Sequence, residues 1–170
     1  MDGTAHRMVV VGVDGSPGAD AALRFAMEEA SRRDAVVRAV VAVRPPELYA
    51  YADYMLPEPA DGRAAAAADV ERRIQALREQ FGLTVESEAI AVTGSPVHVL
   101  VDAARDAELL VVGHRGRGPW RSALLGSVGL GAVLQAPCPV TVVPAPEPAA
   151  PAPDEAAASS STPLPVGPIA

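Results

Sequence analysis

The sequence predicts an α/β fold, an open, doubly wound, five-stranded parallel sheet with helices on both faces. Three observations point there. Short β-branched runs alternate with helical stretches, the pattern of strands joined by crossover helices. The first run, M-V-V-V-G-V at residues 8–13, is apolar at consecutive positions, as a strand covered on both faces requires. Two Ser-Pro pairs, Ser16-Pro17 and Ser95-Pro96, open helical stretches after strands; each offers an N-cap hydroxyl and a proline whose missing N–H costs nothing in the first helical turn.

Each element has its own signal. Helix one is expected from Pro17 to about Arg32, and strand two over residues 35–43. A Tyr- and Pro-rich stretch, 48–59, reads as an irregular loop. In helix two, Val70, Ile74, Leu77 and Phe81 recur at helical spacing, Arg72, Arg73, Arg78 and Glu79 take the other face, and Gly82 ends the run. Strand three is expected over 83–90, and helix three carries Val97, Leu100, Val101 and Ala104 on one stripe. Strand four spans 109–112, a glycine-bearing segment leads into helix four ending near Gln135, and strand five spans 139–143. From Pro144 to Ala170 the chain is Pro- and Ala-rich with few large apolar residues, so it divides into a folded unit, 1–143, and a tail, 144–170, expected to be disordered.

Composition excludes several function classes. Among 170 residues, 14 are basic and 21 acidic, a net charge of −7, with no basic cluster to engage nucleic acid or an anionic membrane. All the basic residues are arginine, so Schiff-base chemistry and the lysine of a Walker A loop are impossible. One cysteine, Cys138, permits neither an internal disulfide nor a multi-cysteine metal site. No targeting segment or run of membrane-spanning length is read, which leads to the expectation of a cytoplasmic protein.

In an open parallel sheet, ligands bind beyond the carboxyl ends of the strands where strand order reverses. Here those ends carry Asp14, Val43, Thr93-Gly94 and Gly113. After strand four, Gly113, Gly116, Gly126 and Ser127 form a G-x2-G-x9-G-S pattern. The first two glycines allow a sharp turn and close backbone approach, while Gly126-Ser127 sets N–H groups and a hydroxyl at a helix N-terminus, where a phosphate is favoured.

With V-V-V-G-V-D-G-S at the first strand, T-G-S-P before helix three, the glycine segment, and A-P-C-P-V-T-V-V at the end, residues 7–143 resemble the ATP-binding branch of the universal stress proteins. The resemblance implies an adenine nucleotide alpha hydrolase-like fold that holds ATP, with slow or no hydrolysis, as a regulatory module of the stress response. It implies that Gly12, Val13 and Asp14 lie against the nucleotide and that Val43 meets the adenine. Val112, Gly113 and Gly116 would follow the ribose and phosphates, and Gly126, Ser127 and Val128 would hold the triphosphate. It further implies a homodimer through the last strand, Val140 to Val143. His114 and Gly129 depart from the pattern, standing where such proteins often have Ser or Thr. They motivate the alternative of an interaction module of the same fold without nucleotide.

Asp14 is a candidate to meet Mg²⁺ beside the phosphates, or instead to cap the Ser16-Pro17 turn. Arg115, Arg117 and Arg121 are placed to screen triphosphate charge or to form a solvated loop face, and Trp120 to cover the site or a dimer contact. The histidines His6, His98 and His114 are scattered, which argues against zinc. No nucleophile and base pair can be nominated, so no catalytic residue is assigned.

Overall fold

The computed structural model describes residues 7–43, 60–114 and 125–145. Its elements are β1 Met8–Gly12, α1 Pro17–Arg33, β2 Val36–Val43, α2 Ala60–Phe81, β3 Ser87–Thr93, α3 Pro96–Ala103, β4 Leu109–Gly113, α4 Ser127–Gln135 and β5 Val140–Val143. The strands form one five-stranded parallel sheet, as the sequence predicts, and their order is β3-β2-β1-β4-β5.

Alternation along the strands divides the core in two. Val9, Val11, Val37, Ala39, Leu109 and Val111 face α1 and α2, where they meet Leu23, Met27, Val70 and Ile74. Val10, Val40, Leu110 and Val112 face α3 and α4, where they meet Val99, Leu100 and Ala132. Leu23, Met27 and Ile74 are fully buried, and each contributes about 2 kcal/mol by leaving water. Val9, Val10 and Val11 are all buried, which accounts for the unbroken apolar run of the central strand.

Local chemistry sets the helix ends. The Ser16 Oγ accepts the Ala19 N–H at 3.2 Å, and α1 stops where Asp34 turns left-handed at φ 53°. At the far end of α2, Gly82 takes φ 65°, a conformation open to glycine without strain. Arg73 fastens α2 to α1 by reaching Asp20 at 2.7 and 2.9 Å while also bonding Asp69 at 2.9 Å.

Three expectations are corrected. The third strand runs over Ser87–Thr93 rather than 83–90, because its extent follows the pairing with Val37 through Val43. The apolar residues at 83 and 85 belong to the α2–β3 connection, where the Val85 carbonyl accepts from Arg78 at 2.9 Å. Phe81 does not complete the buried stripe of α2; it is 41% exposed, with the Arg24 guanidinium 5.0 Å above its ring. Of the stripe expected on α3, Leu100 and Ala104 are buried, but Val99 joins them in place of Val97 and Val101, which are only half-buried, and Val97 turns towards Gly131 of α4. The 48–59 loop and residues 146–170 lie outside the described residues.

Candidate functional site

Strand order reverses at β1, whose neighbours are β2 and β4. The carboxyl ends of β1 and β4 therefore open a crevice where the crossovers lead to opposite sides of β1. At the β1 end, the Val13 N–H donates to the Val40 carbonyl at 2.8 Å, carrying strand pairing one residue past Gly12. Gly15 takes φ 76°, and the Ser16 N–H donates to Asp14 Oδ1 at 3.0 Å. Asp14 is exposed and braces the turn into α1, so the capping reading is realised. At the β2 end, the Val43 carbonyl accepts the Gly94 N–H at 3.0 Å, which joins the tips of β2 and β3.

Gly113 closes β4. A Cβ built there would stand 2.8 Å from the Gly18 carbonyl oxygen and 3.2 Å from the Ala19 nitrogen, so only glycine lets the strand end meet the first turn of α1. The next residue, His114, donates its N–H to the Val143 carbonyl at 2.6 Å and accepts the Gly126 N–H on its own carbonyl at 3.1 Å. Through its main chain, His114 ties the last residue of β5 to the N-cap of α4.

The N-termini of α1 and α4, which follow the two strands at the switch point, differ. Ser16 caps α1 with its side chain. Gly126 has no side chain to offer, and α4 begins with no side-chain cap. The N–H groups of Ser127, Val128 and Gly129 form the first turn, since the Leu130 N–H is the first to bond back, to the Gly126 carbonyl at 2.9 Å. An anion is favoured at such a turn by the N–H groups and the helix dipole together.

Of the residues nominated from sequence, Gly12, Val13, Asp14, Val43, Val112, Gly113, Gly126, Ser127 and Val128 lie at this end of the sheet. Val13 and Val112 are buried at 4% and 3% exposure, so only their main chains can face the crevice. Ser127 is exposed. Gly116, Arg115, Arg117, Arg121 and Trp120 lie outside the described residues. Among the described residues, no three His, Cys, Asp or Glu side chains gather as a metal site, and no helix is long and apolar enough to cross a membrane.

Sequence reasoning missed Gly18, whose backbone receives Gly113, and the bridging main chain of His114. The first had a faint signal in the glycine directly after Ser16-Pro17. The second had none, because it depends on main-chain atoms rather than on residue type.

The parallel order, the two covered faces and the crevice at the switch point define an α/β protein of the adenine nucleotide alpha hydrolase-like class. The chain belongs to the Universal stress protein family, whose model matches residues 6–144. It is 38% identical over 141 residues to the universal stress protein Rv2005c of Mycobacterium tuberculosis, an alignment covering 79% of this chain and 47% of that protein. The chain thus spans about half the length of the curated relatives it matches. Among solved structures, the universal stress protein UspA from Lactobacillus plantarum superposes with a TM-score of 0.62 at 27% identity, covering 81% of this chain and 97% of that one. A universal stress protein in complex with cAMP superposes with a TM-score of 0.57 at 29% identity, covering 84% and 100%.

Proposed function

We propose that this chain is an adenine-nucleotide-binding member of the family, a regulatory module that holds ATP with slow or no hydrolysis. In this reading residues 1–143 are the nucleotide-binding unit and act in the cytoplasm as a homodimer through Val140 to Val143. The observation that carries the reading is the start of α4: a glycine N-cap with no side-chain cap, held beside the switch point by the His114 carbonyl. The cAMP complex of a solved relative supports the ligand class.

The residues fit a nucleotide. In this reading main-chain groups of Gly12, Val13, Val112 and Gly113 line the approach and the turn at Gly126, Ser127 and Val128 receives the phosphates; Gly116, which the resemblance also assigns to them, lies outside the described residues. Val43 offers a half-buried apolar contact for the adenine. Asp14, whose Oδ1 braces the turn into α1, also meets the ribose or a phosphate-bound Mg²⁺ in this reading. The sequence nominates no nucleophile and base pair, and this reading takes occupancy rather than turnover as the output.

Calorimetric titration with ATP tests this, using the parent chain and Ser127→Asp. The exposed Asp places a negative charge among the phosphate-binding N–H groups while favouring the helix. Micromolar binding by the parent and loss of at least ten-fold in the folded variant is the expected result. Equal binding by both would remove the phosphate assignment.

The second reading is an interaction module that has lost the nucleotide. His114 and Gly129 favour it, since they stand where the family often presents hydroxyls. Absence of adenine-nucleotide binding by the parent chain would establish it.

A further inference from the structure

At the end of β4, Gly113 and His114 face opposite sides of the sheet. A Cβ on Gly113 would point at the Gly18 carbonyl of α1, so the pleat turns the next residue, His114, to the face that carries α3 and α4. The strand below agrees: Val111 packs with α1 and α2, and Val112 with α3 and α4. His114 still runs beside β5, because its N–H donates to the Val143 carbonyl at 2.6 Å. Its side chain is half-buried.

The first turn of α4 stands against this strand end. The His114 carbonyl accepts the Gly126 N–H at 3.1 Å. A Cβ on Gly129 would lie 3.8 Å from the Gly113 carbonyl oxygen, which shares a peptide group with the His114 N–H. The imidazole therefore leaves the main chain next to the N–H groups of Ser127, Val128 and Gly129.

Charge is scarce at this turn. From residue 122 to residue 146 the chain holds no Asp, Glu, Arg or Lys, so neither α4 nor β5 sets a charged side chain there. On α3, His98 and Asp102 are exposed, and Asp102 bonds Arg105 at 2.7 Å. Asp14, at the end of β1, holds the Ser16 N–H. Glu108 precedes β4 at its amino end, beside Arg7, and Arg115, Arg117 and Arg121 lie outside the described residues. Among the described residues of 109–114 and 125–145, His114 is the one whose side chain takes a positive charge near neutral pH.

Proximity links that proton to the phosphates. With the turn empty, the α4 dipole sets partial positive charge beside the imidazole and disfavours its protonation. A phosphate on the turn reverses this field and favours the imidazolium, which donates a charge-assisted hydrogen bond to a phosphate oxygen. Phosphate binding and proton uptake then strengthen each other, so affinity rises as pH falls. A Ser or Thr hydroxyl at the same position donates a hydrogen bond but gains no charge.

We propose that His114 is a phosphate ligand of the nucleotide site and takes up a proton as the phosphates bind, so that the chain holds ATP more tightly in mildly acidic than in mildly alkaline solution. The proposal rests on the nucleotide reading given above. Calorimetry of ATP binding to the full chain, repeated at neutral pH in buffers of different ionisation enthalpy, counts the protons taken up. The nucleotide's own phosphate titrates in the same range, so the parent is compared with H114N, which keeps the main-chain bonds; H114Q takes its place if circular dichroism shows H114N unfolded.

The parent is expected to take up roughly half a proton more per ATP than the variant. Its gain in affinity from about pH 8 to about pH 6 is expected to exceed the variant's by at least about five-fold. Equal proton counts, or a higher count in the folded variant, overturn the role of His114 and leave the nucleotide reading standing. A parent chain that binds no adenine nucleotide at either pH overturns it together with that reading.

Discussion

Gly113 ends β4 directly against Gly18 at the first turn of α1, so close that a methyl group on Gly113 would stand 2.8 Å from the Gly18 carbonyl oxygen. The neighbour is backbone, which cannot swing aside as a side chain does. Gly113→Ala is expected to destabilise the fold by about 2 kcal/mol, as overpacking at a rigid contact does. Urea unfolding of the variant measures it. A change under about 0.5 kcal/mol would show that the strand end and α1 separate freely.

This contact alters how loss of binding at Gly113 is interpreted. A bulky residue there displaces α1 as well as filling the phosphate approach, whereas Ser127 is exposed and outside the core. Ser127→Asp is expected to raise helix stability by about 0.5 kcal/mol through the dipole while weakening ATP. Opposite signs in a melting curve and a binding titration separate the ligand role of the turn from its structural one.

The α3–α4 contact is testable in the same terms. A Cβ on Gly131 would lie 2.6 Å from Val97 Cγ2, so Gly131→Ala trades a gain in helix propensity of about 1 kcal/mol against a clash. The variant is expected to be no more stable than the parent, and Val97→Ala in the same chain to recover the propensity gain. A double-mutant cycle in denaturant reads the coupling directly. Independent, additive effects would mean that the two helices do not press on each other.

Acid stability follows from the arginine pairs. The Arg73 hydrogen bond holds the Asp69 carboxyl below its ordinary value, and Arg33, then Arg32, do so for Glu29. A carboxylate whose folded pKa is depressed contributes stability that is present above its unfolded pKa and lost as pH falls through the folded one. The unfolding midpoint is therefore expected to fall between about pH 5 and about pH 3, and to fall less steeply in the D69N/E29Q variant. Parallel curves for the two proteins would show that these pairs do not contribute.

Burial pushes the Cys138 thiol up, against a smaller opposing effect of a backbone hydrogen bond with Leu110. Little thiolate forms near neutral pH, and thiolate is the reactive species. Cys138 is expected to react with a thiol reagent more slowly than free cysteine at pH 7 to 8, with the rate rising towards alkaline pH. Reaction at the rate of free cysteine would contradict its half-buried setting.

What the sequence made legible was local. The run Val9 to Val11 announced a central strand, and Ser16-Pro17 announced the start of α1, because each signal lies within a few residues of the structure it specifies. The limits of β3 were not legible. Leu83 and Val85 resemble strand residues, yet pairing with β2, some fifty residues away in sequence, decides where the strand lies. Phe81 fits the apolar periodicity of α2, but the Arg24 that covers it belongs to another helix.

The candidate site divides in the same way. Asp14, Gly113 and Gly126-Ser127 are nominated by strand ends and glycine spacing, and the structure sets them at one end of the sheet. The steric demand of Gly113 comes from Gly18, which the pattern alone does not connect to it. The link from Val143 through His114 to Gly126 is made of main-chain atoms, and no residue-type pattern encodes it.

The central claim is that the α4 turn, at the switch point of this family fold, holds an adenine nucleotide. Native mass spectrometry of the freshly purified chain, followed by ATP titration calorimetry with and without Mg²⁺, tests it most directly. The account predicts a dimer that carries ATP or binds it with a micromolar constant. A chain that neither carries nor binds any adenine nucleotide would contradict it.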